Sequence, residues 1–251
     1  MAFARRMLAG DICKEALALQ GLPVPSAIST NTNDVSARQI WAQLRSQGRR
    51  LAKPTMTHRW QALTRQWQLT TVPGQSRYTM PADCLGFEDL ASWNKSSSFP
   101  MVGPATTQQW QCLVARSFGA NTFGVVYRII EDQLELYTTP TQAQNLLIAY
   151  SSRSWVQLVT GSTPGNPVYA DAPVEDGDTV MLDPEMMVTA VQMGFMQAKG
   201  FDTTAISALL DKLIETAIDV DTDAPILNAA TATGTPLLTT QFNVPDTGYG
   251  G

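Results

Sequence analysis

Carboxylates are the residues of this chain best suited to chemistry. Asp11 and Glu15 stand four apart, which places both on one face of a helix. Asp171, Glu175, Asp176 and Asp178 crowd a second stretch. Two carboxyls about 5–10 Å apart, one with a raised pKa, are what glycoside cleavage needs. A peptidoglycan hydrolase working through Asp11 and Glu15 is therefore one reading, although acids this dense are usually solvated. Asp176-Gly177-Asp178 has the look of a calcium loop, yet the EF-hand order of ligands and its closing glutamate are absent. Nucleophilic chemistry would fall on His58, the sole histidine, and no GxSxG elbow accompanies it. Histidine scarcity also argues against catalytic zinc. Cys13, Cys84 and Cys112 form no CxxC pair and read as small buried apolar residues. Neither GxxxxGK[ST] nor GxGxxG occurs, so nucleotide binding has no support. No catalytic residue, metal or cofactor is expected.

The elements that would position these groups follow from periodicity. Residues 4–20 read as a helix with Leu8, Ile12, Ala16 and Leu19 on one stripe, stopped by Gly21. Residues 26–33 are a polar loop. A second helix spans 35–53, capped by Asn33 or Asp34, with Ile40, Trp41, Leu44 and Leu51 on its apolar side. The period then becomes two: Trp67, Leu69 and Thr71 alternate with Gln66, Gln68 and Thr70, as in a half-buried strand. Pro73-Gly74 suits a type II turn. Tyr78 and Met80 begin another strand. Residues 106–116 read as a short helix, capped by Thr106 or Thr107, with Trp110, Leu113 and Val114 inward and Gly119-Ala120-Asn121 breaking it.

Phe123–Ile130, Leu134–Tyr137 and Leu146–Ser152 read as the strands of a meander. Residues 160–178 hold three Pro and three Gly and read as a long connection. Asp183-Pro184-Glu185 starts a helix whose face is Met187, Ala190, Val191, Gly194 and Ala198, ended by Gly200. The last helix begins near Asp202. Its face is Ile206, Leu209, Leu210, Leu213, Ala217 and Val220, and Asp211, Glu215 and Asp219 share its outer stripe. Helical periodicity ends at Ala224. The remaining tail carries a sparse apolar set, Phe242, Val244 and Tyr249, of the kind that docks into a partner's groove.

The fold class expected is α+β: a helical bundle from the N- and C-terminal helices, an inserted antiparallel β-rich lobe and an extended C-terminal tail. The segments are 1–64, 65–180, 181–222 and 223–251. The 251 residues, 44% hydrophobic, can bury a core, and no apolar run approaches the roughly 20 residues of a membrane span. Synthesis and assembly in a host cytoplasm are expected, with no membrane partner. Net charge is −5 but uneven: +7 over residues 1–70 and −10 over 170–223. A basic front and an acidic back favour head-to-tail contact between copies. Arginines spread around a helix without exposed aromatics do not make a DNA reader.

One resemblance is carried by ordered motifs. These are Arg59-Trp60 through Arg65, the turn Val72 to Gln75, and Tyr78-Thr79-Met80-Pro81-Ala82-Asp83. Gly103-Pro104 leading to Trp110, Leu134 to Pro140 and Ala149 to Trp155 follow. Their order resembles the head-to-tail adaptors of short-tailed bacteriophages, the tail tubular protein A and P22-type head-completion group. Where that pattern has an aromatic after Pro-Ala-Asp, this chain has Cys84 and Leu85. The resemblance implies a non-enzymatic virion protein at the head–tail junction, forming a ring of roughly twelve copies between portal and tail nozzle. Double-stranded DNA would pass through without specific binding, and tail fibres or spikes are further possible neighbours. Carried onto this chain, it makes Phe242, Val244 and Tyr249 the portal-docking candidates, with the β region near 66–155 as tail-side contact. Asp211, Glu215 and Asp219 become channel-lining candidates, whose charge would keep DNA from sticking. A monomeric binding module built on the β region is the third reading.

Overall fold

Helical spacing of apolar residues becomes four long helices in the computed structural model, which describes residues 6–30, 33–53, 59–116 and 125–222. His58, Gly119-Ala120-Asn121 and the tail residues Phe242, Val244 and Tyr249 lie outside the described residues. The helices are α1 (Ala9–Leu19), α2 (Val35–Leu51), α4 (Pro184–Ala198) and α5 (Thr204–Thr222), with a shorter α3 (Thr107–Arg116) between them in sequence. The caps are chemical. Asp34 accepts from the Ser36 and Ala37 amides, and Asp183 accepts from that of Met186. Thr106 and Gln109 exchange hydrogen bonds as a reciprocal capping box on α3.

α4 packs against α1, α2 and α5, and α1 also meets α2. Residues of all four helices share one apolar core with Trp155, Val156 and Val180. Because α4 is surrounded, Met186 to Val191 are buried on every side, not along the single face expected, while Ala198 at its end is exposed. α5 is the reverse case. Leu210 is buried and Ile206, Leu213 and Ala217 are half-buried, but Leu209 and Val220 face solvent. The expected stripe was broader than the surface α4 offers. Trp155 is fully buried, its ring lying on α2 where a side chain on Gly48 would come within 2.2 Å of it. Its indole N–H donates to the Asp171 carbonyl at 2.8 Å.

The strands form three antiparallel sheets. The longest is ordered β2 (Thr64–Thr70), β8 (Asn145–Ser152), β4 (Cys84–Asn94) and β5 (Phe99–Pro100). A second contains β3 (Arg77–Thr79), β7 (Gln133–Leu136) and β6 (Tyr127–Ile130). The third is built of two-residue strands in the order β1 (Met7–Leu8), β11 (Thr179–Val180), β9 (Val156–Gln157) and β10 (Tyr169–Ala170). A separate apolar cluster, including Tyr78, Phe87, Tyr127, Leu134, Leu146 and Ile148, lies between the two larger sheets' residues.

Several expectations are corrected by this arrangement. Met7 and Leu8 pair with β11 instead of beginning α1, and both ends of the expected stripe, Leu8 and Leu19, are exposed. The three strands after residue 123 are not a meander. β6 and β7 form a hairpin, turned by Glu131 and Asp132 at positive φ, whereas β8 enters the other sheet between β2 and β4. The connection over 160–178 contributes β10 and buried anchors. Val114 is exposed, and of the three cysteines only Cys13 is buried.

Candidate interaction surfaces

The motif Tyr78 to Asp83 is a pair of polar clamps. Gly74 has φ +83°, the value a type II turn requires after Pro73, and the Gln75 amide closes the turn on the Val72 carbonyl at 3.1 Å. The buried Tyr78 hydroxyl holds that turn, accepting from the Val72 amide and donating to the Gln75 carbonyl at 2.7 Å. Past Pro81, the Asp83 carboxylate accepts from the hydroxyls of Tyr150 (3.1 Å) and Ser152 (2.5 Å) on β8. Burial, and after it the charge and hydrogen bond of Asp83, push the Tyr150 phenol up to about 12.

The second motif seats α3. Gly103 has φ +154°, and a side chain there would strike the Tyr127 carbonyl at 2.5 Å. Seven residues on, the Trp110 ring is covered by the Arg128 guanidinium at 4.3 Å and met edge-on by Tyr137 at 5.6 Å. Arg128 and Arg77 both bond Glu135. Burial pushes the Glu135 carboxyl up, but the hydrogen bonds and charges of Arg128 and then Arg77 outweigh it, so it titrates below its ordinary value.

The acids singled out for chemistry are mostly occupied by the fold. Both Asp176 oxygens accept backbone amides, from Ile28 (2.8 Å) and Ser29 (2.7 Å), which pins the polar loop over 26–33. Asp178, 1% exposed, accepts the amides of Val159, Val174 and Glu175. Glu175 accepts the Thr160 hydroxyl, and Asp171 lies 3.8 Å from Arg49. Asp11 pairs loosely with Lys14 at 3.8 Å, and Glu15 is exposed. No cluster of metal-ligating side chains occurs among the described residues. Burial raises the Cys13 and Cys84 thiols, which disfavours the reactive thiolate.

Two side-chain surfaces among the described residues suit partners. Asp211, Glu215 and Asp219 are exposed along α5 at four-residue spacing. At the other end of the helical unit, an apolar groove of about 550 Å³ runs between the end of α1 and the junction of α4 and α5. Leu19, Phe195, Met196, Phe201 and Ile206 line it. The loop that shapes it ends α4 with Gly200 at φ +78° and the Phe201 amide bonded back to Met196 O at 3.1 Å. Sequence reasoning ended that helix correctly at Gly200 but did not find the groove. Phe201, an aromatic placed directly after a helix-ending glycine, was the available signal.

A protein-family model described as SU10 adaptor protein matches residues 12–224, which takes in α1 from Ile12 onward, α2 to α5 and both larger sheets. The chain belongs to the SU10 adaptor protein family. It is thus a structural component of the phage head–tail adaptor kind. No curated protein is similar enough to the chain to count as a match. None of the adaptor's described helices is long and apolar enough to cross a membrane.

Proposed function

We propose that this adaptor forms a ring, of about twelve copies, that joins the portal to the tail nozzle of a podovirus-like virion and surrounds the DNA channel. Its place would parallel the tail tubular protein A and P22-type group. The observation that carries the reading is the family match over residues 12–224, which spans the helical core and the β region together. The helical segments 1–64 and 181–222 would form the bundle, 65–180 the β lobe on the tail side, and 223–251 the arm that docks Phe242, Val244 and Tyr249 on the portal. Repetition around a ring multiplies weak contacts of that kind. Twelve copies at −5 place roughly −60 on the ring. With Asp211, Glu215 and Asp219 toward the lumen, DNA would be repelled along its path.

The test is an image of tailed particles and of particles assembled without this protein. Density for a cyclic collar between portal and nozzle, and loss of tails and genome in its absence, are the expected results. Genome-filled, tailed particles lacking the protein would overturn the reading.

A further inference from the structure

Among the described residues, the outer edge of β2 pairs with no other strand, and it is unlike the other sheet edges. β2 is seven residues long and borders the sheet, with β8 on its one side. Its pairing is regular from Thr64↔Ser151 to Thr70↔Asn145, without a bulge. The Thr71 amide donates to Gln144 O at 2.8 Å in the same register. In antiparallel pairing, backbone bonds join directly opposed residues at every second position. Arg65, Trp67 and Leu69 therefore bond β8, and the N–H and C=O groups of Gln66, Gln68 and Thr70 point outward. The Lys95 amide bonds Asn145 O on the opposite side of β8, which confirms the alternation.

Proteins normally protect such an edge with charge, proline or a bulge. β2 has no proline, and its exposed side chains, Gln66, Gln68 and Thr70, are uncharged. Its one charged residue, Arg65, is turned to the Tyr169 ring at 3.9 Å.

The last helix ends close to the segment that leads into β2. Near the end of α5, Asp221 accepts the Gln61 amide at 3.0 Å through its carboxylate and the Gln61 side-chain amide at 2.8 Å through its carbonyl. Gln61 is three residues before β2. The described chain thus ends, at Thr222, one residue past a contact with the segment that leads into β2. Within residues 223–251, Leu237-Leu238-Thr239-Thr240-Gln241-Phe242-Asn243-Val244 is bounded by Pro236 and Pro245. Leu238, Thr240, Phe242 and Val244 alternate with Thr239, Gln241 and Asn243, the period of a strand with strand-favouring residues. The 14 residues from 223 to 236 span up to about 46 Å, whereas all of β2 covers about 23 Å.

We infer that residues 237–244 add to the outer edge of β2 in the same copy, as a strand that extends the sheet. Leu238, Phe242 and Val244 would then continue the face that carries Trp67 and Leu69. A short tether keeps the segment at high local concentration, which favours its own sheet over a neighbour's. The inference goes beyond the head-to-tail reading: it gives the tail a seat in the free protein, one that portal docking would have to displace.

Hydrogen exchange on the full chain, without portal, tests it. Expected is protection of the Gln66, Gln68 and Thr70 amides, together with amides of 237–244. Replacing Thr240→Pro and Gln241→Pro removes a donor whichever way the strand faces. That variant should lose at least tenfold protection at the three β2 amides while α4 amides keep theirs. Fast exchange at those amides in the unaltered chain overturns the inference, as does protection that survives the two prolines. Protection that rises with protein concentration and with mass above one chain overturns docking within one copy in favour of a second copy. None of these outcomes bears on the particle images, so the two readings fail separately.

Discussion

Replacing Asp178 by alanine should destabilise the protein more than any other single change among the clustered acids. The side chain is 1% exposed and accepts three backbone amides at 2.9, 2.7 and 2.8 Å. A hydrogen bond to a charged acceptor contributes about 1.5–3 kcal/mol, and a buried donor left without a partner costs about 1–3 kcal/mol. Val174 is exposed, so its amide and that of its neighbour Glu175 recover water in the variant. The sum therefore falls well below three full losses, at about 3–5 kcal/mol. For a chain of this length each kcal/mol moves Tm by roughly 2–4 °C, which predicts a fall of roughly 6–20 °C for Asp178→Ala. Asp178→Asn keeps the shape but turns an amide group toward at least one N–H, for about 2 kcal/mol. Thermal unfolding followed by circular dichroism reads both. Added calcium should leave Tm unchanged, because the carboxylate oxygens are already engaged by amides. A fall under about 3 °C for the alanine variant, or a rise of several degrees with calcium, would refute the structural reading of this loop.

Three further outcomes are expected. Gly48→Ala should lower stability by up to about 2 kcal/mol: crowding of the Trp155 ring costs about 1–3 kcal/mol against a helix gain of ~1 kcal/mol, and a rise in Tm would contradict it. Glu135 has a depressed folded pKa, so its stabilisation is present above its ordinary value of 4.5 and is lost as pH falls through the folded value below that. The stability gap between the unaltered chain and Glu135→Gln in denaturant titrations should accordingly shrink below about pH 4.5, and a constant gap would count against the Arg128–Glu135–Arg77 account. Changing Asp211, Glu215 and Asp219 to lysine should move Tm by no more than about 3–6 °C, since all three are exposed, while DNA exit from assembled particles becomes slower and salt-dependent; unchanged exit would count against the proposed channel placement.

Local chemistry made much of this fold legible. The Asp34 and Asp183 caps, the Thr106 cap, the Pro73-Gly74 turn and the ends at Gly21 and Gly200 each depend on neighbours within a few residues, and the structure places them where the sequence does. The roles of Asp176 and Asp178 were not legible. Their partners at Ile28, Ser29 and Val159 are distant in sequence or belong to another turn, and a dense acid loop looks the same whether it binds a cation or backbone amides. Trp155 was read as part of a motif, but the Gly48 surface that receives it lies over a hundred residues away.

Hydrophobic period by itself marked the helices and the strands β2, β3, β6, β7 and β8, because a side chain's direction repeats every 3.6 or 2 residues whatever lies opposite; it did not mark β4 or the two-residue strands. Tertiary structure alone decided what lies opposite. β8 alternates as well for a hairpin with β7 as for a seat between β2 and β4, and only the closing of backbone hydrogen bonds to both neighbours selects the second. Leu209 and Val220 carry the pattern of a core stripe, yet α4 is too narrow to cover them. The pattern states what each element would bury, and the partner's shape determines how much of that it can.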